Sequence, residues 1–140
     1  HPSFSSIIRR MSPFDAKLLK CLVEPKRDLY PLVNYSFIRK NDDSSFHQAS
    51  NILALNGTVM ENVTDVASSL DILQSLGLVH LDYMRWLSDD SAYAPFESCS
   101  FYNDLVNTLE IEYGDEYKLH LEKGCLAFTE LGNRFAMCCL

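Results

Sequence analysis

The stretch NVTDVASSLDILQSLGLVHLDY, residues 62–83, decides how the rest of the chain is read. Val63, Val66, Ala67, Leu70, Leu73 and Leu76 recur at helical spacing and so line one face of an amphipathic helix. Asn62 or Thr64 can accept a hydrogen bond from the unpaired N–H groups of its first turn, and Asp65 suits the positive end of the helix dipole. Gly77 stands where a left-handed residue stops a helix, and Leu78 can fold back onto the last turn. Val79, Leu81 and Tyr83 then alternate with His80 and Asp82, the pattern of a half-buried strand.

Working outward towards the N-terminus, Phe4, Ile7, Ile8 and Met11 give a short amphipathic helix over Pro2 to Met11. Ser12-Pro13-Phe14-Asp15 is a strong helix start, and Phe14, Leu18, Leu19, Leu22 and Val23 form its buried stripe up to Pro25. Tyr30 to Arg39 reads as a strand, Asn41 to Ser45 as a polar turn. Phe46, Ala49, Ile52, Leu53 and Leu55 are spaced as in another helix, ended by Asn56-Gly57. Towards the C-terminus, Phe101, Leu105, Val106 and Leu109 predict a helix from about Cys99 to Glu110. Tyr117 to Leu121, a turn at Glu122-Lys123-Gly124, and Cys125 to Phe128 predict a β-hairpin. Thr129 caps a final helix bearing Leu131, Phe135 and Met137.

The helix that ends in Leu-Gly-Leu and runs straight into a strand resembles the third helix and first wing strand of a winged-helix domain. The expected fold is therefore α+β: one winged-helix-like domain over residues 1–140, with residues 1–11 as a lead-in helix and a helical insertion over 85–116 in the wing. The chain opens His1-Pro2-Ser3-Phe4 without an initiator Met, which reads as the C-terminal domain of a longer protein.

Composition narrows the function classes. With 140 residues, 47% hydrophobic and 22% charged, the chain suits one globular domain with a real core. No apolar run approaches the roughly 20 residues needed to span a bilayer. The five cysteines, Cys21, Cys99, Cys125, Cys138 and Cys139, are odd in number and lack metal-type spacing, as reduced thiols of a cytoplasmic protein do. The net charge of −7 is unevenly spread. Residues 1–40 hold eight bases against three acids, and residues 41–140 hold four bases against sixteen acids.

Three pieces together resemble one family: HPSFSSIIRRMSPFDAKLL (1–19), SLDILQSLGLVHLDY (69–83) and KGCLAFTELGNRFAMCC (123–139). They are similar to the C-terminal domain of the bacterial abortive infection alpha family. The matching positions are caps, glycines and core residues, so the resemblance implies a role in phage defence or a related stress response and names no active site.

Each candidate chemistry is weighed on its residues. A helix entering the DNA major groove needs Lys or Arg for phosphates, but Asn62 to Leu76 carries Asp65 and Asp71 and no base. Nucleic acid could instead meet the basic N-terminal residues Arg9, Arg10, Lys17 and Lys20, with a solvated face as the plainer reading. His80 and His120, each followed two residues on by an acid (Asp82, Glu122), are the one candidate metal pair, if their strands share a face. No glycine-rich phosphate loop and no Gly-x-Ser-x-Gly elbow occur, so neither a cofactor nor an enzyme is expected. The aromatic density of the insertion offers a protein-docking patch at Arg85, Trp86, Tyr93 and Phe96, for a protein partner or another domain of the same chain.

Overall fold

The computed structural model describes residues 3–140, so His1 and the Pro2 start of the first helix lie outside the described residues. The order is α1 (Phe4–Arg10), α2 (Pro13–Val23), β1 (Tyr30–Arg39), β2 (Ser45–Leu55), β3 (Thr58–Val59), α3 (Val63–Ser75), β4 (Val79–Asp82), α4 (Ser100–Thr108), β5 (Tyr117–Phe128) and α5 (Glu130–Cys139). The five strands form one antiparallel sheet in the order β3-β2-β1-β5-β4. The α+β expectation is met.

Helices and sheet make three layers because the long strands β1, β2 and β5 offer apolar side chains on both faces. On one face Tyr30, Leu32, Leu53, Val79 and Leu126 pack beneath Ile7, Leu19, Leu22, Leu70, Leu73 and Phe135 of α1, α2, α3 and α5. On the other, Val33, Tyr35, Ile52 and Ala54 are covered by Tyr93, Phe96, Phe101 and Leu105 from the segment after β4. Each fully buried Leu or Ile of this kind contributes about 1.5–3 kcal/mol relative to exposure. The first helix belongs to this core: Ile7 is 1% exposed.

Local chemistry sets the helix ends. Ser12 accepts from the Asp15 N–H at 3.1 Å while Asp15 accepts from the Ser12 N–H at 2.9 Å, a reciprocal cap as expected. Asp15 is also buried and accepts from the Ser69 hydroxyl at 2.6 Å, which ties α2 to α3. At the end of α3, Gly77 has φ +80°, its N–H donates to Gln74 O at 2.9 Å, and the Leu78 N–H donates to Leu73 O at 3.0 Å. That pair of bonds needs a left-handed residue between them, which is why glycine occupies position 77. The Gln74 side chain then accepts from the outward-facing Leu81 N–H at 2.7 Å, so β4 starts with its free edge partly covered. Thr129 caps α5 as expected, accepting from the Gly132 N–H at 2.9 Å.

Four expectations are corrected. Phe46 to Leu55 is strand β2, where a winged-helix arrangement would place its second helix. Its pairing with β1 slips by one residue between Val33 and Tyr35 and again between Tyr35 and Ser36. These two bulges put Phe46, Ala49 and Ile52 opposite Phe37, Tyr35 and Val33 on one face, at a spacing of three that imitates a helix. Tyr117 to Phe128 is one continuous strand, with Lys123 and Gly124 inside it and no turn. Gly124 is there for space: a Cβ would lie 2.5 Å from the Tyr83 ring and 2.8 Å from Asp82 O. Asn62 makes no side-chain cap, because it adopts the left-handed conformation itself (φ 56°). Phe14, placed on the buried stripe of α2, is 39% exposed.

Candidate docking surface

The segment from Met84 to Glu97 leaves β4, crosses over β5 and enters a 3-10 stretch, Asp90–Glu97. Tyr93 fastens it there. Its hydroxyl donates to Gly124 O at 2.7 Å and accepts from the Leu87 N–H at 3.0 Å. Lys123 adds a second tie, its Nζ 3.5 Å from Asp90 and 5.2 Å above the Tyr93 ring. Phe96 is fully buried, and its carbonyl accepts from the Tyr35 hydroxyl at 2.7 Å.

Tyr93 and Phe96 are therefore the anchors of the segment and not its contact surface, a correction to their reading as docking residues. The remaining two stand apart from them. Trp86 is 56% exposed, Arg85 is exposed, and Met84, which the aromatic pattern did not single out, is 90% exposed. Anchored at Tyr93 and at β4, this short stretch presents an aromatic ring, a thioether and a guanidinium to solvent on a fixed base. Burial pushes the nearby Cys125 thiol up, an effect that Arg85 opposes and Asp82 reinforces.

The histidine pair does not come together. His80 pairs with Ala127, and His120 lies seven positions back along β5, roughly 23 Å at strand rise. The odd separation also puts them on opposite faces of the sheet. Among the described residues, no group of three or more His, Cys, Asp and Glu side chains is arranged to hold a metal. His80 instead approaches Asp82 at 4.0 Å, both at the surface. His47 has a partner the sequence pattern did not reveal: its Nε2 lies 2.8 Å from Ser50 Oγ, across the β2 bulges.

The basic residues Arg9, Arg10, Lys17 and Lys20 are all exposed on α1 and α2. Among the described residues, none of them forms an ion pair. The acidic residues Asp65 and Asp71 sit on the exposed side of α3, as its sequence implied. Among the described residues, no helix is long and apolar enough to cross a membrane.

Comparison with known proteins adds a family. No curated protein matches the chain. A solved structure, described as an uncharacterized protein from the hydrocarbon-degrading marine bacterium Alcanivorax borkumensis SK2, is similar at 15% identity. The similarity covers 98% of this chain and 97% of that one, with a TM-score of 0.48. The profile of the family described as "Abortive infection alpha" (Abi_alpha) matches residues 1–139. With nearly every residue inside that match, the chain belongs to the abortive infection alpha family.

Proposed function

We propose that this chain is a non-enzymatic, cytoplasmic protein-docking or sensing module of a phage-defence protein, with Met84, Arg85 and Trp86 as its contact residues. The observation that carries the reading is the exposure of Trp86 on a segment whose other aromatic anchors, Tyr93 and Phe96, are buried. An exposed Trp costs the folded chain a favourable burial, and Trp and Arg dominate the residues that carry binding energy when a partner covers them. The partner is another protein or another domain of the same polypeptide.

A photo-crosslinking residue at position 86, expressed in cells under phage challenge, tests this. The expected result is one discrete adduct from position 86 and none from position 111, where Ile111 is 83% exposed in the π-helical stretch that follows α4. Indistinguishable labelling from both positions, with Trp86→Ala keeping full protection against phage, would remove the proposal.

A second reading, nucleic-acid binding by the N-terminal residues, is favoured by one observation: among the described residues, Arg9, Arg10, Lys17 and Lys20 have no acidic partner. Such binding would weaken steeply with salt and collapse in Arg9→Glu/Arg10→Glu.

A further inference from the structure

Three of the four helices on that face of the sheet, α1, α2 and α5, differ in charge from the fourth, α3, which carries Asp65 and Asp71 and no base. Residues 3–28 and 129–140, which form α1, α2, the loop after it and α5, hold seven bases and four acids, a net of +3. One of those acids, Asp15, is buried in its cap, and Glu130 is paired with Arg134. Residues 29–128 hold five bases and fifteen acids, a net of −10. The net positive charge is thus confined to α1, α2 and α5, and α3 beside them shares the negative charge of the remaining chain.

The same three helices expose apolar side chains. Ile8 is 52% exposed, Phe14 39% and Met137 85%, on α1, α2 and α5 respectively. These helices are contiguous: Phe4 of α1 packs edge-on against Phe135 of α5 at 5.5 Å. A groove of about 360 Å³ runs between α2 and α5, lined by Leu22, Val23 and Met137 together with Lys26, Arg27 and one acid, Asp28. Ile8 stands directly beside Arg9 and Arg10, and Met137 faces the groove that Lys26 and Arg27 border.

We infer that this helical end docks on an anionic lipid bilayer surface. Bases alone would suit any polyanion. Exposed Ile, Phe and Met among them suit a surface that is anionic outside and apolar just beneath, which a nucleic-acid backbone is not. The acidic remainder of the molecule is repelled by the same surface and so orients the helices towards it. Each base brought near an anionic leaflet strengthens partition about fivefold. The inference concerns a different face from the Trp86 surface and stands or falls independently of it.

Co-sedimentation of the chain with phosphatidylcholine vesicles, with and without phosphatidylglycerol, tests the inference across a salt series. The expected result is partition into the phosphatidylglycerol vesicles alone, weakening with salt. Arg9→Glu/Arg10→Glu should reduce it by roughly several hundredfold, since two favourable charges become two unfavourable ones, a change of four charges. Met137→Ser, at an exposed position that folding does not need, should reduce it severalfold, and Ile111→Ser should leave it unchanged. Partition that ignores phosphatidylglycerol overturns the inference. So does partition that Met137→Ser and Phe14→Ser both leave intact while duplex DNA binds more tightly, an outcome that assigns the basic end to nucleic acid.

Discussion

Single side chains in this fold are held by space as much as by bonds. A Cβ on Gly132 would lie 1.9 Å from Leu78 O, the same carbonyl that accepts the Thr129 N–H at 3.1 Å. Because a backbone atom cannot swing aside, Gly132→Ala should cost about 3 kcal/mol, the upper end for overpacking. A urea titration that finds the variant as stable as the parent would contradict that packing. Tyr35 and Tyr83 make a prediction about alkali. Burial pushes both phenols well above their ordinary value of 10.0, with Cys99 adding to the effect at Tyr35. Above pH 10 the unfolded chain loses these protons while the fold retains them, so stability is intact below pH 10 and falls as pH rises beyond it. The slope is about 1.4 kcal/mol per pH unit for each phenol. Urea midpoints on either side of pH 10 measure it, and Tyr35→Phe should flatten the curve. An unchanged midpoint across that range would mean the phenols ionise freely.

At the level of elements, α3 and β4 are joined by one left-handed glycine with no side-chain obstruction, since a Cβ on Gly77 meets only Leu131 at 3.5 Å. Gly77→Ala therefore carries backbone strain alone, about 1–2 kcal/mol. Gly77→Asn should recover part of the lost melting temperature, because Asn tolerates φ > 0. Asn51 does the corresponding work in β2. It is left-handed (φ 57°), donates to Asp71 at 3.2 Å and accepts from the Tyr83 hydroxyl at 2.5 Å. Asn51→Ala should cost about 2 kcal/mol, much of it from the unsatisfied Tyr83 hydroxyl. If so, Tyr83→Phe in the Asn51→Ala background will cost little more, which a double-mutant cycle would show. Such junctions explain what could be read beforehand. The α3–Gly77–β4 unit and the Ser12 and Thr129 caps rest on neighbours within a few residues, and their sequence carries them. The bulges of β2 do not, because they arise only when β1 lies alongside and shifts the register. For the same reason Lys123-Gly124 looked like a turn: the ring of Tyr83, distant in sequence, is what requires a glycine there.

The whole molecule is organised by which face each segment covers, and that also decided how much of the site was legible. Trp86 stood out as a docking candidate from its type and its neighbours, and it is exposed, but nothing local distinguishes it from Tyr93, which goes under because Gly124 O awaits its hydroxyl. The His80–His120 pairing failed on strand parity, a property of the assembled sheet. The lead-in helix is similarly a matter of the assembly: Ile7 is buried in one cluster with residues of α2, α3, α5 and the sheet, so Ile7→Ala should cost about 3 kcal/mol. Loss of less than a third of that in thermal unfolding would show α1 to be an appendage. The placement of β5 has a consequence in time. This strand is made after all the others, yet it sits between β1 and β4 and pairs with both. During synthesis β4 has no neighbour and β1 keeps one edge bare until residues 117–128 emerge. The core then closes in one late step, with α5 following at once. Until that moment the nascent chain shows open strand edges and uncovered apolar rows to its surroundings, the form in which it is most dependent on chaperones.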